Sequence, residues 1–154
     1  MSESKHHQAH TRFTYEDYTR WPPGERWEPI DGRAHAITAP SRNHQQLSGS
    51  LFAQICVQPE QHPCEVCAAP IDARLPDADE PDEETHTVVQ PDISVVCDPS
   101  RLDEKGCRGA PDLIIGILSP GTATLDRIHK LALYERHKVH GFWIVDPELK
   151  GVEI

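Results

Sequence analysis

At 154 residues the chain is long enough for one domain with a real core and too short for two. Its hydrophobic fraction of 37% is low, Pro is abundant at 14, and the net charge of −10 is lopsided: residues 1–100 carry 7 Lys and Arg against 17 Asp and Glu, and residues 101–154 carry 8 against 8. That balance makes a poor non-specific binder of nucleic acid, since phosphate contacts need clustered Lys and Arg, but it leaves room for a local basic face or for an acidic pocket neutralised by divalent metal.

No run approaches the roughly 20 apolar residues of a membrane span, and no signal peptide opens the chain. Five cysteines in no regular framework point to a reducing, cytoplasmic setting.

Residues 1–12 are polar and read as a disordered leader, in which His6, His7 and His10 would bind transition metals only loosely. Thr14-x-x-Asp17 forms a capping box at the start of a short helix that Pro22-Pro23-Gly24 stops. Asp31-Gly32 lies between two short strand-like runs and predicts a hairpin, because its turn wants positive φ. Pro29 places the first of those strands at an edge or a bulge.

After Pro40-Ser41 a helix follows, with His44, Leu47, Leu51 and Ile55 on one stripe, and Pro59 ends it. Residues 64–75 read as a strand broken at Pro70. Residues 76–86 hold six acids and two prolines in eleven positions, which makes a solvated acidic loop. Asp77-x-Asp79 within it lacks the Gly and the bidentate Glu of a calcium loop.

Two Val- and Ile-rich runs, residues 87–97 and 110–119, suit strands buried on both faces. Each contains a Pro-Asp pair, Pro91-Asp92 and Pro111-Asp112. An unpaired carboxylate in such a strand costs several kcal/mol or more, so Asp92 needs a metal ion or a lysine as partner. Residues 125–137 predict an amphipathic helix, with Leu125, Ile128 and Ala132 on one stripe and Leu131 and Tyr134 beside it. A strand at 141–147, a turn through Lys150-Gly151 and the beginning of a further strand at 152–154 complete the chain, which reads as shortened at its C-terminus. The order describes an α/β fold with a mixed sheet.

Every candidate has a plainer reading. Asp92 could cap a neighbouring turn, Lys130 could be a solvated charge, and His44 could be a hydrogen-bonded core histidine. Glu28 could merely flank the turn, and Tyr134 could be core. Cys64-x-x-Cys67 invites zinc or redox chemistry, with Cys97 and Cys107 as the remaining members of a Cys₄ site. A lone pair on a strand, however, points its two thiols to opposite faces.

Trp27-Glu28-x-Ile30-Asp31-Gly32, Pro40-Ser41-x-x-His44, Val89-Gln90-Pro91-Asp92-Ile93-Ser94-Val95-Val96, Pro111-Asp112-Leu113, Ile117-Leu118-Ser119-Pro120 and Phe142-Trp143-Ile144-Val145-Asp146-Pro147, taken in order with Lys130 and Tyr134, resemble the large bacterial family, abundant in cyanobacteria, of restriction-endonuclease-like proteins within the PD-(D/E)XK nuclease superfamily. The resemblance runs from about residue 13 to the end. It implies a central mixed β-sheet flanked by helices and preceded by the hairpin, in one domain over residues 13–154.

The family pattern further implies phosphodiester hydrolysis in DNA, with Mg²⁺ (or Mn²⁺) held by Asp92, Glu28 and the Ile117 backbone carbonyl. Lys130 would steady the nucleophile, and His44 would complete the pocket. Gly116 stands where the family carries its catalytic Glu, which weakens the site. Asp112, roughly 13 Å away along the same strand, cannot replace it. The alternative is a catalytically inactive relative that keeps the fold to bind DNA or a protein. By analogy with superfamily nucleases that cut both strands, the resemblance also implies a homodimer.

Overall fold

A computed structural model describes residues 12–57, 63–119 and 125–154. The expected leader lies outside the described residues except for Arg12, whose Nε donates to the Asp31 carbonyl at 3.2 Å. The helix stop at Pro59 and the break at Pro120-Gly121-Thr122 also lie outside them.

Local chemistry sets the first elements. Helix α1 (Tyr15–Thr19) starts at Thr14, whose Oγ1 accepts from the Asp17 amide at 3.2 Å while the Asp17 carboxylate accepts from the Thr14 amide at 2.9 Å. Strands β1 (Trp27–Ile30) and β2 (Arg33–Ala36) pair antiparallel across Asp31-Gly32, whose φ angles of 51° and 79° are those of a tight hairpin turn. Helix α2 (Arg42–Cys56) begins at Ser41, whose Oγ accepts from the His44 amide at 3.1 Å.

Two of the strand-rich runs are each divided between two sheets, the first at the expected break. Residues 64–75 become β3 (Glu65–Ala68) and β4 (Asp72–Arg74), and residues 87–97 become β5 (Val88–Val89) and β6 (Ile93–Val96). Pro70 and Pro91 stand at the two breaks, and a proline has no amide to give to a ladder. Strands β7 (Leu102–Asp103), β8 (Gly106–Arg108) and β9 (Leu113–Ile117) follow. A π-helical turn (Leu125–Lys130) then leads into α3 (Leu131–Arg136), and β10 (Gly141–Asp146) and β11 (Gly151–Glu153) close the described chain.

The larger sheet runs β11-β10-β9-β6-β3, with β9 and β10 parallel and its other pairs antiparallel. The smaller runs β5-β4-β8-β7. On one face of the larger sheet, Leu47, Leu51, Phe52 and Ile55 of α2 cover Ile93, Ile115, Ile117 and Val145. On the other, Leu133 and Tyr134 of α3 join Ile30, Leu75, Val89 and Ile114 in a second core. The fold is thus the α/β arrangement with a mixed sheet that the sequence predicts.

Three expectations are corrected. First, Ile128 and Leu131 are 62% and 44% exposed and Ala132 is exposed, whereas Leu133 and Tyr134 are buried. The inward stripe runs Lys130, Leu133, Tyr134, His137, and its polar members hide it from an apolar count. Second, the acidic loop is fastened rather than merely solvated. Asp82 grips the buried Arg74 guanidinium at 2.8 and 2.7 Å, Asp103 grips it at 2.7 Å through both oxygens, and the Tyr15 ring centre lies 5.4 Å away. Third, Cys64 is bonded to Cys97 across the β3–β6 edge, so the four cysteines form no zinc site. Cys67 and Cys107 are buried thiols, and burial pushes Cys107 up to about 11, far from a metal-binding thiolate.

Candidate active site

One cleft gathers residues that are far apart in sequence. Glu28 comes from β1, His44 from the first turn of α2, Gln90 and Asp92 from the β5–β6 junction, Gly116 from β9, and Lys130 from the end of the π-helical turn. The change of sheet at Pro91 is what delivers Asp92 here. A strand continuing straight would have carried it along the smaller sheet.

The two acids are held by different partners. Glu28, with a side chain only 5% exposed, accepts from the Gln90 amide at 2.7 Å through Oε1, and its Oε2 lies 3.0 Å from Lys130 Nζ. Asp92 is 23% exposed; its Oδ2 accepts from the Ile117 amide at 2.7 Å and its Oδ1 lies 3.1 Å from His44 Nε2. The ammonium expected beside Asp92 therefore stands against Glu28, and Ile117 meets Asp92 through its amide. Because the ionised Asp92 can only accept, Nε2 of His44 carries the proton of that contact. The buried Nδ1 on the opposite side of the ring has no hydrogen-bond partner among the described residues.

Gly116 opens onto this cleft. A Cβ built there would meet only the Phe142 ring, at 3.5 and 3.9 Å, which is ordinary van der Waals contact. Packing thus leaves room for a Cβ at this position. Asp112 is occupied elsewhere, its Oδ2 accepting from the Cys97 amide at 2.7 Å. Tyr134 is 2% exposed and sits edge-on to Phe142 at 4.8 Å, a core residue that also lines the cleft wall.

Two cleft residues escape the sequence reading. Gln90 Nε2 donates to Asp72 Oδ1 at 3.0 Å and to the Tyr18 hydroxyl at 2.8 Å, while its Oε1 accepts from Arg26 Nη2 at 3.2 Å. Tyr18 in turn donates to Asp72 at 2.8 Å, and burial, followed by the Asp72 charge, raises its phenol well above the usual range. The available signal was proximity in sequence: Arg26 lies two residues from Glu28, and Gln90 two residues from Asp92.

The sequence matches the model of the Uma2 family, described as "Putative restriction endonuclease", over residues 15–154. The chain belongs to the Uma2 family. It is 29% identical over 125 residues to "Uncharacterized protein slr1290" of Synechocystis sp., a match that covers 80% of this chain and 62% of that protein. Its fold is similar to that in a crystal structure from Anabaena variabilis described as "a putative nuclease belonging to DUF820". The TM-score is 0.64 at 21% identity, covering 88% of this chain and 75% of that one. The Uma2 fold here is therefore that of a nuclease-like neighbour, and no helix among the described residues is long and apolar enough to cross a membrane.

The fit to a metal can be tested on the donors. Among the described residues no three His, Cys, Asp or Glu side chains group as a metal site. Mg²⁺ nevertheless needs only one or two carboxylates when substrate phosphate and water complete its shell. Asp92 and Glu28 are the two carboxylates that line the cleft, and each of their oxygens already faces a nitrogen of the protein.

Proposed function

We propose that this Uma2 domain is a weakened Mg²⁺-dependent endonuclease that hydrolyses phosphodiester bonds of DNA. The observation that carries this reading is the convergence of Glu28, Asp92, Lys130 and His44 on one cleft from four separate segments. When bound by Asp92 and Glu28, Mg²⁺ (or Mn²⁺) would supply charge neutralisation and a more acidic water.

The chain's own groups do the rest. Lys130 holds Glu28 in place and presents positive charge where negative charge develops as water attacks phosphorus and the bond to the leaving oxygen breaks. His44 fixes Asp92 through its Nε2 proton. The Ile117 amide fixes the other oxygen of Asp92, so that the carboxylate is oriented before substrate arrives. Strand scission on both sides of a duplex would call for two copies, and a homodimer is part of the proposal.

The test is cleavage of supercoiled plasmid in Mg²⁺ and in Mn²⁺. Wild type should cut slowly, Asp92→Ala should not cut, and Gly116→Glu should cut faster. Equal cutting by wild type and Asp92→Ala would end the enzyme reading. Gly116 itself favours a second reading, a non-catalytic module that keeps the fold to bind DNA or a protein; complete inactivity of wild type with recovery in Gly116→Glu would select it.

A further inference from the structure

We propose that Arg26 is the phosphate-binding residue of this cleft, and that through it the domain takes hold of a nucleic-acid strand without any divalent ion. The proposal rests on the nuclease reading for the identity of the ligand, but it concerns binding and not cleavage.

Arg26 lines the same cleft as Glu28, Asp92 and Lys130, and among the described residues no carboxylate pairs with it. Its guanidinium is instead aligned by a neutral group, the Gln90 Oε1 at 3.2 Å. That alignment is dictated from behind. Asp72 can only accept, so the amide nitrogen of Gln90 must face it, at 3.0 Å, and the amide oxygen must face Arg26. The Tyr18 hydroxyl locks the same orientation by accepting from Gln90 at 2.8 Å while donating to Asp72 at 2.8 Å. One Arg26 nitrogen is thereby spent on positioning, and the rest of a five-donor fork remains for an anion.

The charge balance of the cleft points the same way. Glu28 and Asp92 are balanced in number by Lys130 and Arg26 along the same walls. A nuclease cleft with one more carboxylate repels phosphate until a divalent ion intervenes. Gly116 removes that carboxylate, and a singly charged phosphodiester meets an available guanidinium without opposition. Arg26 is the ligand-contacting residue of this arrangement, and Gln90 is a positioning residue that acts through it.

The experiment is fluorescence anisotropy of a labelled 12-nucleotide single-stranded DNA in EDTA, with a methylphosphonate version of the strand and inorganic phosphate as the other probes. Wild type should bind the strand in EDTA and ignore the uncharged methylphosphonate version. Arg26→Gln should weaken binding about tenfold or more, with an unchanged melting temperature, and Arg26→Lys should restore part of the loss. Adding Arg26→Gln to Gln90→Met should cost less than it does in wild type, a coupling that a merely structural Gln90 would not produce. Gly116→Glu should lose binding in EDTA and regain it in Mg²⁺.

Equal affinity of wild type and Arg26→Gln, or wild-type binding that appears only with Mg²⁺, would overturn the proposal. Inorganic phosphate competing as tightly as the strand would overturn its assignment to nucleic acid. Binding in EDTA with no cleavage under any metal would leave this proposal standing while the nuclease reading fails.

Discussion

Lys130→Met isolates the ion pair at the centre of the cleft. Glu28 and Lys130 have side chains only 5% and 13% exposed, with 3.0 Å between their charged atoms. Removing one member of so buried a pair leaves the other uncompensated, which costs about 3–5 kcal/mol against about 1 kcal/mol or less for an exposed pair. The open side of the cleft admits water, so the lower end, about 3 kcal/mol, is expected. Glu28→Gln added to Lys130→Met should recover most of that loss. The neutral amide needs no counter-charge, and its oxygen can keep the bond from the Gln90 amide, which is 2.7 Å long in wild type. Urea unfolding followed by tryptophan fluorescence, with Trp27 adjacent to Glu28 as a reporter, measures both. A deficit under about 1 kcal/mol in Lys130→Met, or no recovery in the double variant, would refute the reasoning.

Other outcomes follow from packing and charge. Leu133→Ala should cost about 2–5 kcal/mol because Leu133 is 3% exposed, whereas Leu131→Ala and Ile128→Ala should each stay within about 0.5 kcal/mol in the same urea melts. Hydrogen bonds from Arg136 hold Asp31 below the usual carboxylate range, and those from Arg74 hold Asp103 below it. Their contribution is therefore complete above an unfolded value of about pH 4 and is lost as pH falls through the lower folded values. The urea midpoint should drop between pH 5 and pH 3, less steeply in Asp103→Asn, and an identical slope in that variant would count against the pairing. Burial lowers His137, so the unfolded chain takes up that proton first and a gentler loss should begin below about pH 6.5. His137→Gln should remove it.

What could be read from the sequence was whatever local chemistry decides. Thr14 with Asp17, Asp31-Gly32 and Ser41 fix helix starts and a turn by bonds that span three residues or fewer, and all three stand where expected. The strand-rich stretches were legible from composition, but their division between two sheets was not. Pairing partners are tertiary facts, and a proline marks a break without saying which sheet the chain joins next. The face of α3 was misread because Lys130 and His137 occupy half of the inward stripe. A helix that carries a polar group into a cleft violates its own amphipathic pattern, and the apolar count then elects Ile128.

The same limit applied to the cleft. Glu28, His44, Asp92 and Lys130 were named from a family pattern and do meet in space. Arg26 lies outside that pattern, and Gln90 lies within it without a site role. The contact that reveals them reaches back to Tyr18 and Asp72, residues that no spacing rule connects.

The passage of the chain between sheets has one more consequence. Both β3–β4 and β5–β6 are threads sewn through two layers, so neither layer can be lifted away while the other stays whole. Asp92 is placed just past the second stitch, which means the carboxylate and the seam share a fate. Loosening the fabric anywhere along Gln90-Pro91-Asp92 would draw the carboxylate away from Ile117 and His44, its two holds in the cleft.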